Sequence, residues 1–209
     1  MSYEESVTLN VNDLNETPKD ISLSASSFNE KISAGSVITT LTTTDEDSSD
    51  THSYSLISGV GDTDNAAFTV TGDQLTINAS PDYETKSSYS IRIKTTDSSG
   101  LSYENYFSLS VNDLNETPTD ISLSALTFNE NITAGTAIAT LSSTAQDSSY
   151  NHSYSLISGI GDTDNAAFTV TGDQLRINGS PDYETQSSYS IRLKSTDSGG
   201  LTYEKSIIL

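Results

Sequence analysis

The chain has 209 residues, room for one large domain or two ordinary ones, and 29 Asp and Glu against nine Lys and Arg give it a net charge of -20. That balance excludes the basic footprint of a nucleic-acid binder and is repelled by an anionic membrane surface. It has no cysteine, which removes disulfide staples, thiolate metal sites and a cysteine nucleophile.

From the N-terminus, Ser2–Thr17 matches Ser102–Thr117, so residues 1–18 are expected to be the last strand of a preceding repeat plus its linker. Period-2 alternation then predicts seven short strands. Asp20–Ala25 points Ile21 and Leu23 inward; Ser36–Thr44 sets Val37 and Leu41 among threonines; Ser53–Ser58 carries Tyr54 and Leu56. Ala67–Val70, Leu75–Asn78, Tyr89–Thr95 and Tyr103–Val111 complete the set. Turn signals separate them at Ala34-Gly35, Gly59 to Gly61, Thr71-Gly72-Asp73, Ser80-Pro81 and Ser98-Ser99-Gly100. Residues 113–118 read as a connector, where Pro118 stops strand pairing.

The pattern then starts again. VNDLNETP at Val11 and Val111, HSYSLISG at His52 and His152, GDTDNAAFTVTGDQL at Gly61 and Gly161, and PDYET at Pro81 and Pro181 all recur at the same offset. About three-quarters of aligned positions are identical, as in a recent duplication and a longer array. The organisation predicted is repeat 1 over 19–112, connector 113–118, and repeat 2 over 119–209 with its exit linker missing. The fold class is all-β: two tandem seven-stranded Greek-key β-sandwiches joined end to end. An apolar fraction of only 33% suits strands with one wet face. No apolar run is long enough to span a bilayer as a helix.

The acidic residues cluster at five places in the first copy: Glu30 after the first strand, Asp45 with Asp47, Asp82 with Glu84, Asp97, and Asp113 with Glu116. Strand ends gather at the two poles of a sandwich, and a hard cation takes six to eight oxygens. A D-x-D spacing turns two carboxylates the same way, so that both can share an ion.

In this order the motifs resemble a cadherin repeat of the kind found in large bacterial surface and secreted proteins. Glu30 and Glu130 match the glutamate after the first strand. Asp45-Glu46-Asp47 matches D-x-D, and Asp82-Tyr83-Glu84 and Asp182-Tyr183-Glu184 match D-R-E. Thr96-Asp97 with Gly100 matches A-x-D-x-G, and Asp113-Leu114-Asn115-Glu116 matches the D-x-N-D-N linker. The resemblance covers the whole chain and implies Ca2+ as the cofactor. It places a first ion on Glu30, Asp82, Glu84 and Glu116, and a second on Glu30, Glu84, Asp113, Glu116 and Asp147. A third would use Asn115, the D-x-D pair of the second copy and Asp197.

Two departures weaken that third ion. The second copy reads Ala145-Gln146-Asp147, and Thr117 replaces the closing linker Asn. The opening linker residues Asp13, Asn15 and Glu16 face an intact Asp45, Asp47 and Asp97, which would support one lone ion. Glu130, Asp182 and Glu184 have no following linker and are expected to bind poorly.

Gly61-Asp62-Thr63-Asp64-Asn65 lacks the glycine and distal glutamate of an EF-hand and reads as a turn. His52 and His152 read as ordinary surface residues, and the absence of a nucleophile elbow or triad context argues against an enzyme. The implied function is a calcium-rigidified extracellular or cell-surface repeat of a secreted bacterial protein, acting in cell adhesion as an adhesive or extender segment. Its expected partners are calcium, neighbouring repeats of the same chain and a homophilic or carbohydrate partner, with no nucleic acid. The alternative is a polysaccharide-binding module, which a row of exposed aromatics among Tyr54, Tyr83, Tyr89, Tyr103 and Tyr106 would support.

Overall fold

Alternating burial organises most strands in a computed structural model that describes residues 1–147 and 149–209. The chain divides into two units, Met1–Leu114 and Asn115–Leu209.

The first unit has β1 (Asp20–Leu23), β2 (Ser27–Asn29), β3 (Val37–Thr44), β4 (Ser53–Leu56), β5 (Phe68–Thr71), β6 (Gln74–Ile77), β7 (Ser88–Thr96) and β8 (Ser102–Asn112). One sheet has the order β1-β3-β6-β5 and the other β2-β8-β7-β4. β1 pairs antiparallel with β3, and four residues later β2 pairs parallel with β8, so one edge segment serves both sheets. Counted as one split strand, β1 and β2 make a seven-stranded sandwich. The split is anchored at Ser24, whose Oγ accepts the Thr40 N–H at 2.9 Å while its own N–H donates to the Thr40 carbonyl.

The core follows the pleat. Ile91 and Ile93 on β7 and Leu109 on β8 are fully buried and meet Ile21, Leu41, Phe68, Leu75 and Ile77 of the facing sheet. Phe28 and Phe68 both pack on Tyr89, the latter edge-on at 5.3 Å between ring centroids. The GDTDN segment is structural. Asp64 accepts the Lys86 ammonium at 2.6 Å and the Ser90 N–H at 2.8 Å, and Asn65 bridges the Ile57 carbonyl and the Arg92 N–H. Gly61 has φ +91°, and a Cβ there would lie 2.6 Å from the Tyr106 Cβ, so only glycine fits this turn.

The second unit has β9 (Asp120–Leu123), β10 (Ala137–Thr144), β11 (His152–Leu156), β12 (Phe168–Thr171), β13 (Gln174–Ile177), β14 (Ser190–Asp197) and β15 (Thr202–Ile208). Its sheets are ordered β9-β10-β13-β12 and β11-β14-β15 around Ile121, Leu141, Leu175, Ile191 and Leu193. Residues 127–129, the counterpart of β2, form no strand. Residues 1–19 form none either, although the matching stretch in the first copy's own frame is β8. β8 exists because β7 and β2 flank it, and 1–19 has no such neighbours in its unit. No helix in the described residues is long and apolar enough to cross a membrane.

Candidate metal centres

At the end of the first unit where β2 and β8 finish, three segments bring carboxylates together. Glu30 follows β2, and Lys31 turns the chain with φ +60° so that its N–H reaches the Pro81 carbonyl at 2.9 Å. That bond fixes the Asp82–Glu84 turn beside Glu30. Carboxylate oxygens of Glu30, Asp82 and Glu84 all lie within 4.8 Å of one another. Glu30 is only 1% exposed, and its two oxygens accept the N–H of Leu114 at 2.7 Å and of Tyr83 at 2.9 Å. Its side chain thus holds the start of the connector.

Two features bear on the charge state of these acids. Asp82 uses one oxygen for the Thr85 hydroxyl at 2.7 Å, and that bond holds its pKa below the usual value, while its Oδ1 is buried with no hydrogen-bond partner. Glu84 is pushed the other way: burial raises its pKa against its own backbone hydrogen bond, and Glu30, Asp82 and Asp113 add to the rise. A divalent cation among oxygens of this kind would reverse that repulsion.

At the opposite end of β7, Asp97 accepts N–H groups from Ser99 and Leu101 on one oxygen and the Asn15 amide at 3.0 Å on the other. The Asn15 bond is the largest cause of its lowered pKa. Asp47 accepts the Glu16 N–H at 2.8 Å, and Asp13, Glu16 and Asp47 offer oxygens within 4.8 Å of one another. Glu16 has a raised pKa from burial, then from Asp47, Glu46 and Asp13.

Asp45 sits differently from its D-x-D partner. Its Oδ2 meets His52 Nε2 at 2.9 Å, its Oδ1 accepts the Asp47 N–H at 3.2 Å, and its side chain is 3% exposed. The imidazole contact is the largest cause of its lowered pKa. His52, read as a surface residue, is therefore a nearly buried partner of an acid. A single histidine seven residues from an aspartate carries no sequence signal for that contact.

The second unit repeats part of this arrangement. Asn115 donates to Asp197 at 3.2 Å, the Glu116 N–H donates to Asp147, and Asp197 accepts the Leu201 N–H at 2.9 Å. Asp147, Asp197 and Glu116 are all buried, and the Oδ1 atoms of Asn115 and Asp147 are buried without a hydrogen-bond partner. Ala145 stands where Asp45 does, and His152 Nδ1 lies 3.5 Å from the Ser195 hydroxyl instead. Glu130, Asp182 and Glu184 also gather within 4.8 Å, but all three are exposed. The donors at these places are hard oxygens throughout, and their unbonded buried atoms fit calcium.

Four of the five tyrosines considered as a binding row, Tyr54, Tyr83, Tyr89 and Tyr103, pack against the core, while Tyr106 is 60% exposed.

No protein-family model matches the sequence, and no curated protein is similar to it in sequence. Solved structures do match in fold. The chain is similar to human protocadherin-24 extracellular domains 1–2, with TM-score 0.69 and 21% identity over 94% of this chain and 96% of that one. Protocadherin γB4 gives TM-score 0.66 at 24% identity over 95% of the chain, and protocadherin γB7 domains 1–4 give 0.63 at 21% over 92%. The chain spans 33% and 50% of those two structures. The fold is thus that of tandem cadherin-like domains: all-β, two sandwiches in sequence.

Proposed function

We propose that the chain is a calcium-binding, calcium-rigidified repeat segment that serves cell adhesion, as an adhesive or extender part of a secreted or surface-exposed bacterial protein. The observation that carries this reading is Glu30, a nearly fully buried carboxylate between Asp82 and Glu84 whose oxygens also hold the connector at Leu114. Calcium there would offset the burial and the neighbouring carboxylate charges that raise the Glu84 pKa.

Asp113 belongs to the first unit, and Asn115 and Glu116 to the second. Cations held by Glu30, Asp82, Glu84, Asp113, Glu116 and Asp147 would therefore restrict the backbone torsions of the connector between them. The proposed stoichiometry is two firm ions on these ligands. A third, on Asn115, Asp147 and Asp197, is weakened because Ala145 supplies no carboxylate. The lone opening site uses Asp13, Asn15, Glu16, Asp47 and Asp97, with Asp45 shared with His52. Extracellular calcium at millimolar level matches the affinity of such modules. The role is mechanical, and no reaction is assigned to it.

Calorimetric titration with calcium, together with small-angle scattering in calcium and in chelator, tests the reading. The expected result is saturable binding and a longer, narrower distribution of distances in calcium. An unchanged maximum dimension, or heat indistinguishable from dilution, sinks it.

A further inference from the structure

Both copies carry a histidine seven positions after the start of the D-x-D segment, and they use it differently. In the first unit Asp45 follows β3 and His52 stands just before β4. Asp45 Oδ2 meets His52 Nε2 at 2.9 Å, and the imidazole and carboxylate side chains are 12% and 3% exposed. An ionised carboxylate only accepts, so Nε2 carries the proton of that bond. Asp45 Oδ1 accepts the Asp47 N–H at 3.2 Å, so each of its oxygens already holds a donor. Asp13, Glu16 and Asp47 bring oxygens within 4.8 Å of one another, and Asp45 is not among them. Its carboxylate stays in the buried contact with the imidazole instead.

The second unit shows the same histidine without its acid. Ala145 stands in place of Asp45, and His152 Nδ1 lies 3.5 Å from the Ser195 hydroxyl. Ser195 shares a 2.6 Å hydrogen bond with Ser143, as its counterpart, the fully buried Thr95, does with Thr43 at 2.7 Å. One position in one fold therefore holds an imidazole in two settings: on a carboxylate where one is present, and beside a hydroxyl where none is. A released imidazole is compatible with the sandwich.

We propose that His52 is a positioning residue that withholds Asp45 from the cation site of Asp13, Asn15, Glu16, Asp47 and Asp97, and so sets the calcium concentration at which that site fills. The inference rests on the calcium reading above. A nearly buried carboxylate needs a donor or a positive charge beside it. Without the ion His52 meets that need. With it, calcium takes over the task as Asp45 turns to the ion, and the imidazole is released toward Thr95 as His152 lies beside Ser195. Capture of Asp45 breaks a charge-assisted hydrogen bond before it gains a ligand, so the site fills at higher calcium than its ligand count implies. The second unit has no such brake, because Ala145 leaves His152 no carboxylate to hold.

The test is a calcium titration of the isotope-labelled full chain, read by NMR at the Asp47 and Asp97 amides and at the His52 imidazole nitrogens. In wild type the His52 Nε2 signal is expected to move with the same midpoint as the Asp47 amide, a readout that needs no variant to fold. His52→Val removes the brake and should lower that midpoint about tenfold, the size of one charge-assisted hydrogen bond. His52→Gln, whose side-chain amide donates in place of Nε2, should restore the wild-type midpoint, and His152→Val should leave it unchanged. A His52→Val midpoint equal to or higher than wild type overturns the proposal, as does an imidazole signal that stays still while Asp47 saturates. The amides of Tyr83 and Leu114, which report on Glu30, separate this failure from that of the calcium reading. Shifts there with a His52-independent midpoint at Asp47 overturn this inference alone, whereas no calcium-dependent shift anywhere overturns both.

Discussion

Replacing Glu30 by alanine removes two short, charge-assisted acceptors at once, from Tyr83 N–H and Leu114 N–H. Each such bond contributes about 1.5–3 kcal/mol net. Leu114 is partly exposed, so its N–H can turn to water, whereas the Tyr83 donor is part-buried. The expected loss for the first unit is therefore about 2–4 kcal/mol in calcium, where the ligand is lost as well. In chelator the loss is smaller, because removing Glu30 also relieves the repulsion on Glu84. Glu130→Ala is the internal control. It is exposed and accepts a single N–H at 3.1 Å, so about 0.5–1 kcal/mol is expected. Two units can unfold separately, so the assay should be residue-resolved: denaturant-dependent amide exchange, with Leu114 as the direct reporter. The reasoning is refuted if Glu30→Ala destabilises the first unit no more than Glu130→Ala does the second, or if the Leu114 amide keeps its protection.

Acid should act in opposite directions with and without calcium. Glu84 has a raised folded pKa, so without metal its ionisation works against folding; stability is gained as pH falls from neutral through that raised pKa, and lost again as pH rises through it. Chelator-treated Glu84→Gln should lack this gain in pH-dependent melting, while calcium-loaded wild type should weaken as protons compete for the ligand. Ala145→Asp restores a carboxylate beside His152 and Asp147, and a calorimetric titration should then show an additional or tighter calcium event than wild type. Ile93→Ala empties a fully buried site on β7 and should destabilise the first unit by about 2–5 kcal/mol by denaturant unfolding.

Much of the fold was legible because a half-buried strand writes its own period. Ile91 and Ile93, Leu75 and Ile77, and Leu109 and Val111 alternate with polar residues, and all six are buried. The positions of the acids were legible too, since strand ends in a sandwich meet at its poles. The partners of those acids were not. Asp45 reads as the twin of Asp47, but a loop that brings His52 within 2.9 Å gives the two carboxylates different tasks.

Local sequence alone therefore determined the strands that bury one face in their own unit, the turns between them, the repeat and the order of the acids. Tertiary structure decided the rest, because an edge strand exists only where a neighbour takes its hydrogen bonds. Ser27-Phe28-Asn29 is a strand and Thr127-Phe128-Asn129 is not, although they differ by one hydroxyl-bearing residue. The first lies against Ser110–Asn112, which takes its hydrogen bonds. The same pairing buries Glu30, whose oxygens accept the Tyr83 and Leu114 N–H groups brought to it by distant segments.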